Sequence, residues 1–432
     1  METDRLEIAR LYHRFGFGPR PGEFKAALDS GLSATKTALL NVPAVDLGAA
    51  QVAEPNITNL GPRPGQNTNA LIEFNIALRQ QTRALPIWWL DRMVLSDHSL
   101  TERMTWFWHG HWATSISKIN FAYPMYLQNQ TLRKHAVGNF KDLSLAMIND
   151  GALQDWLDGG ANTVKAPNEN LARELMELFL LGVNRYTEND VRELARALTG
   201  YQIEPWSGKV IFNSKRFDAN SKTILGSSAN FDGPKATSWL LSQADCAKFI
   251  AERIWFRFIS STNSLPANNS LESAFVNRDI NSILLAATDS KVLSDPNNSV
   301  VKAPVEWFAS VARYLKLTPS ALKTPAQLLN YLDKLAQVPF NPPNVGGWPT
   351  DESWLSSASA QYRLQFAGWL VKQADLSALT AVAPNKRVLW LQDELGILVF
   401  SNRTRIALDG EKNNPAQLLQ LAICSPEYIV SA

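Results

Sequence analysis

Five polar side chains on one short helix are the residues of this sequence best placed to do chemistry. The stretch PNENLARELMELFLLGVNRYTENDVRELARALTG, residues 167–200, reads as two helices joined by a turn. In the first, Glu169, Asn170, Arg173, Glu174 and Glu177 are set among apolar residues. At about 100° per residue these five fall within an arc of roughly 140°, with Leu171, Ala172, Leu175, Met176 and Phe179 on the opposite side. Three carboxylates, a guanidinium and an amide, with no lysine, suit acid–base or oxyanion chemistry. One glutamate would serve as general base or metal ligand, and Arg173 would clamp an anionic group. Glu174 and Glu177, three residues apart, can converge on one metal or substrate. The competing account is a buried ion network that fixes helix packing, with Glu169–Arg173 as an i,i+4 pair. Crowded carboxylates are costly unless neutralised. The cluster is therefore expected to be buried against cations: Arg14, Arg192 or Arg196, a metal, or a cationic substrate. A raised carboxyl pKa is the other escape, and it would suit general-acid work.

Two histidines offer a metal. His109 and His111 flank Gly110 in TWFWHGHW. In an extended segment both rings share a face and can bind one zinc, iron or manganese ion together with a carboxylate. In a continuous helix they stand about 200° apart and cannot. The possible cofactor is thus a divalent metal, conditional on the helix ending at Gly110. The tryptophans Trp88, Trp89, Trp106, Trp108 and Trp112 read as core at helical spacing, whereas Trp348, in the Pro/Gly-rich loop PFNPPNVGGWP, is expected to be the exposed, ligand-stacking one. Asn168 and Asn170 complete the candidate binding residues, with Arg14 and Trp348. Arg14 with FGFG behind it lacks both GxGxxG spacing and a preceding strand, which excludes a nucleotide loop.

The elements that must hold these groups are helices. Asn168 follows Pro167 and can cap the first helix. Gly182 is placed for a left-handed stop, and Thr187 with Asp190 has capping-box spacing for the second helix, which Gly200 ends. Ser99 with Glu102 reads as a second capping box, opening the helix that carries the histidines. Helical periodicity recurs over residues 5–14, 69–95 with a kink or restart at Pro86, 236–242, 244–259, 270–287, 299–315, 324–336 and onward to the end. Only KVIFN and TILG read as strands. Residues 41–67, rich in Pro, Asn and Gly, are a loop excursion. With no repeat and no linker between balanced halves, the expected fold class is mainly α: one large multi-helical domain over 1–432 with at most a minor β element.

The 432 residues carry a formal net charge of +2 and are 45% hydrophobic. Such a balance exerts no long-range pull on nucleic acid. No apolar run reaches the roughly 18 residues of a membrane helix; the nearest, LPIWWLDRMVL, is interrupted by Asp91 and Arg92. The N-terminus has no apolar h-region, so the sequence as written predicts a cytoplasmic protein. Two cysteines, Cys246 and Cys424, make no disulfide framework.

Several strings, in order along nearly the whole chain, resemble the bacterial family called domain of unknown function 1800. They are RLYHRFGFGP, RMTWFWHGHW, RKHAVGNFKDL, PNENLARELMELFLLG with YTENDVRELARALTGY, VKAPVEW, and PPNVGGWP with SWL. The resemblance implies a mostly helical fold and no established activity. It also implies relatives that are often exported and often encoded beside a sulfatase-like family, a possible source of partners. RFDANSKTILG looks like the family's His-Asp…Lys…Leu-Gly string, with Phe217 in the histidine's place. Two functional readings follow. The first is a hydrolase or transferase with its pocket between the Glu169–Glu177 helix and the WHGHW segment. The second is a non-catalytic binding or assembly module acting beside a partner protein.

Overall fold

A computed structural model describes residues 2–66 and 68–431. Among them the chain forms 25 α-helices and three two-stranded antiparallel sheets. The expected mainly α architecture is what these residues adopt. The strand pairs are β1 (Tyr201–Glu204) with β2 (Lys209–Phe212), β3 (Lys222–Ile224) with β4 (Ser227–Ala229), and β5 (Val300–Val301) with β6 (Val430–Ser431); the first two are hairpins. KVIFN and TILG supply β2 and β3. The third pair joins two strands far apart in sequence, and β5 takes up the start of the expected helix over 299–315, which begins only at Pro304.

The helices that position the candidate residues are α1 (Glu2–Arg14), α2 (Asn69–Leu95), α3 (Ser99–His111), α4 (Ala122–Lys134), α5 (Asn170–Glu174), α6 (Glu188–Ala197), α7 (Ala244–Ile254) and α8 (Pro304–Leu315). Two of them end in a wider π turn: α5 continues as Leu175–Leu180 and α7 as Trp255–Ile259. Pro86 does not restart α2, which runs unbroken through it. The proline and its neighbours Leu85, Trp88 and Trp89 are all buried, and that packing offsets one lost backbone hydrogen bond. The excursion at 41–67 is pinned rather than loose. Asp46 caps the short helix Leu47–Ala50, and its carboxylate also accepts the Asp97 and His98 backbone N–H groups at 2.9 Å each. Position 67 itself lies outside the described residues.

Two large apolar clusters make the core. One gathers Phe107, Trp108, Trp112, Leu171, Met176, Phe179 and Ile250. The other gathers Trp88, Trp89, Trp106, Trp307, Trp348 and Phe366. Helix α3 feeds both, and every residue from Glu102 to His111 is buried. A helix apolar or enclosed on all sides sits inside a large fold rather than on its surface.

Helix α3 also carries a group that the sequence misassigns. Ser99 and Glu102 do not form a capping box; α3 starts without a side-chain cap at His98. Glu102 points inward instead. It accepts the Trp89 indole N–H at 2.9 Å and pairs with Arg92 at 2.9 Å and Arg133 at 2.7 Å. Both guanidiniums also lie over the Trp88 ring. Burial would raise the Glu102 pKa, but Arg133 and then Arg92 outweigh it and hold the carboxyl below its usual range.

Candidate functional site

The stripe on α5 forms as its spacing implies, but at the surface. Asn168 accepts the Asn170 backbone N–H at 2.9 Å, and its own N–H donates to Asn162 at 2.9 Å. These two bonds fix the chain where the helix begins. Arg173 then reaches across to α6 and grips Glu188 with two parallel bonds of 2.8 and 2.7 Å, while also donating to Glu169 at 3.1 Å. Arg192 stands 3.9 Å from the other Glu169 oxygen. The Glu169, Arg173 and Glu188 side chains are 39%, 34% and 63% exposed, which excludes the buried cluster expected from sequence. Exposed pairs of this kind contribute little stability.

The deeper end of the stripe is different. Glu174 and Glu177 are half-buried, and Glu177 accepts a short hydrogen bond from the Tyr186 hydroxyl. Burial, and then Glu177 beside it, push the Glu174 carboxyl up, with Arg173 opposing. The Tyr186 phenol is pushed up to about 12, first by burial and then by Glu177. The π turn that carries Glu177 ends where Gly182, at φ +92°, stops the helix. Single π turns often occur at functional sites. The Thr187–Asp190 capping box is present and seats α6 beside the stripe.

The histidines do not share a face. Helix α3 continues through Gly110 to His111, so the condition for a shared metal is not met. His109 Nε2 accepts the Phe340 N–H at 3.2 Å and lies among Trp89, Phe340 and Trp348. His111 Nε2 donates to the Phe179 carbonyl at 2.9 Å, so this histidine ties α3 to the π turn of α5. The WHGHW segment and the glutamate helix are therefore neighbours, as expected. Their contact is an imidazole-to-backbone bond rather than a shared cavity. Among the described residues no three His, Cys, Asp or Glu side chains are grouped to hold a metal ion.

Arg14 and Trp348 are also sealed in. The Arg14 guanidinium is 1% exposed and is spent on the carbonyls of Ile259, Asn298 and Ser431 and on the Ser431 hydroxyl. It welds α1 to β6. Arg196 pairs with Glu193 and Asp218, away from the stripe. In the Phe217 segment, the buried Lys222 amine donates to three backbone carbonyls and lies 4.7 Å from the Phe217 ring centroid.

Trp348, expected to be exposed, is buried at 5% and stacks on Trp106 with ring centroids 4.9 Å apart. The cause is Gly347. At φ +91° it lets the loop lie on α3; a Cβ there would fall 2.9 Å from the Gly110 carbonyl oxygen. Gly347→Ala should thus cost about 2 kcal/mol through the left-handed backbone and the clash. Urea denaturation checks this: a variant as stable as the parent would contradict the seating of Trp348.

Sequence spacing missed Glu188 and Tyr186, which complete the stripe from the turn and from α6. No periodicity within α5 points to them. Among the described residues no helix is long and apolar enough to cross a membrane. Neither a curated protein nor a solved structure matches the chain. The family model described as Protein of unknown function (DUF1800) matches residues 10–430, and the chain belongs to that family.

Proposed function

We propose that the protein is a binding or assembly module that docks a partner on the α5 stripe, and that it is not a metal-dependent hydrolase. One observation carries this reading. The candidate glutamates lie together at the surface, whereas the two histidines that would complete a metal centre are sealed in aromatic surroundings, each bonded to backbone. The stripe presents Glu169, Glu174, Glu177 and Glu188 against Arg173 and Arg192, an excess of two negative charges. Exposed Val164 and Val183 stand at its two ends in the chain. A face with an excess of negative charge suits a partner segment bearing lysine or arginine, and it sets orientation and association rate more than stability. The sulfatase-like family implied by the resemblance is the first partner to try.

The hydrolase or transferase reading keeps one supporting observation, the raised Glu174 carboxyl beside Glu177 and Tyr186. Co-expression with a sulfatase-like protein of the kind the resemblance implies distinguishes the two. The parent chain should co-purify with that protein, and Glu174→Lys/Glu177→Lys should not. Co-purification unchanged by the double reversal would refute the stripe as the docking face.

A further inference from the structure

Asp91, which breaks the apolar run LPIWWLDRMVL, is buried without a counter-charge. It lies on α2 with Arg83, Ile87 and Leu95, four residues apart and so on one face of the helix. The side chain is 7% exposed. Its hydrogen bonds come from Ser320, from the backbone N–H at 2.9 Å and from the hydroxyl. Among the described residues no arginine, lysine or histidine pairs with it. Arg92, next in the chain, is turned towards Glu102. Arg83 stands about 12 Å away along the helix axis and is exposed. Burial raises the Asp91 carboxyl, and only the Ser320 bonds oppose it. A buried carboxylate without a cation is costly, and a bound cation would remove that cost.

Space for one is present. Asp91 lines a groove of about 900 Å³ between α2, the excursion at 41–67, and helix α9 (Pro325–Lys334) with the short turn Pro319–Ala321 before it. Sites for small organic ligands span roughly 300–1,000 Å³. The walls are mostly apolar: Ile87 and Leu95 from α2, Val52 and Pro55 from the excursion, Ala326 and Leu329 from α9. The Asp46 bonds to Asp97 and His98 hold the start of the excursion against the end of α2. An occupant must match apolar walls over most of its surface and a carboxylate at one point. A neutral hydrocarbon leaves the charge unpaired, and an anion is repelled by it. A bare metal ion finds no group of three acidic, histidine or cysteine ligands among the described residues. An ammonium on a hydrocarbon body meets both demands, with an N⁺–H···O⁻ bond strengthened by the apolar surroundings.

We propose that this groove binds a small organic cation with an apolar body, an alkyl- or arylammonium, whose ammonium group donates to Asp91 while its hydrocarbon lies against α2 and α9. The site shares no residue with the α5 stripe and does not rest on the docking reading. The test is isothermal calorimetry of the full chain with hexylammonium and phenethylammonium chloride, against hexanol and phenethyl alcohol as their neutral counterparts. At least one ammonium should bind saturably, raise the melting temperature, and bind about tenfold or more tighter than its alcohol. Asp91→Asn keeps an oxygen for the Ser320 N–H and should erase that preference, weakening the ammonium and not the alcohol. Ala326→Trp, at an exposed wall position, fills the groove and should weaken both. Glu174→Gln/Glu177→Gln should change nothing, which separates this site from simple attraction to the acidic stripe. If Asp91→Asn does not fold, Ala326→Trp and the ammonium-to-alcohol ratio of the parent carry the comparison. The proposal is overturned by no saturable binding of either ammonium, by alcohols bound as tightly as the ammonium ions, or by ammonium binding that survives Asp91→Asn or Ala326→Trp intact or is lost with the stripe glutamates.

Discussion

Glu102→Gln should destabilise the protein by about 3 kcal/mol, because it strips the counter-charge from two arginines at once. Glu102 is 2% exposed, and the Arg92 and Arg133 side chains are 16% and 11% exposed. All three are largely desolvated, so the loss is well above that of a surface pair. It stays at the lower end of the range for broken buried pairs because Arg133 keeps bonds to Gln130 and Asn129. The glutamine has the shape of the glutamate but turns an N–H₂ group towards cations, which adds to the cost. Urea denaturation gives the number. A loss below 1 kcal/mol would mean that the packing of Trp88 and Trp89, and not this charge, holds α2, α3 and α4 together.

Acidification from pH 7 to pH 5.5 should cost about 3 kcal/mol of stability. His109 and His111 are both pushed down to about 3 by burial. His13 is likewise held well below its usual value, chiefly by burial. In the unfolded chain a histidine takes up a proton near pH 6.5. Below that pH the unfolded state binds more protons than the folded one, so stability falls as pH falls. Each histidine contributes about 1.3 kcal/mol over this interval. Asp150 acts in the opposite sense: burial raises it to about 6, so the folded state gains its proton first. That returns about 0.8 kcal/mol by pH 5.5. Denaturant midpoints measured across this range should fall. A flat or rising profile would show that the histidines already carry charge or contact water in the folded protein.

Local signals in the sequence were sufficient where the physics is local. The Thr187–Asp190 box, the left-handed Gly182 and Gly200, and the strand propensity of KVIFN each depend on residues within a few positions, and each appears in the fold. The helices of the α5 stripe were legible for the same reason. What the chain folds against was not legible. Glu102 has cap spacing with Ser99, but Arg133, more than thirty positions on, and Trp89 on the preceding helix draw it inside. Trp348 sits in a loop of the kind that displays binding residues, but a glycine that can approach the Gly110 carbonyl lets it bury. The three carboxylates on one arc suggested a buried cluster. Glu188, contributed by the next helix, pairs with Arg173 at the surface and removes the need for burial.

The central claim is that the α5 stripe is a docking face and not a structural network. Measuring the stability and partner binding of Glu174→Gln/Glu177→Gln side by side tests it most directly. The account predicts a melting temperature unchanged or slightly raised, because neutralising Glu174 relieves both burial and the charge of Glu177. It also predicts loss of the co-purifying partner. A destabilisation of about 3–5 kcal/mol with partner binding intact would contradict it, since that is the signature of broken buried pairs.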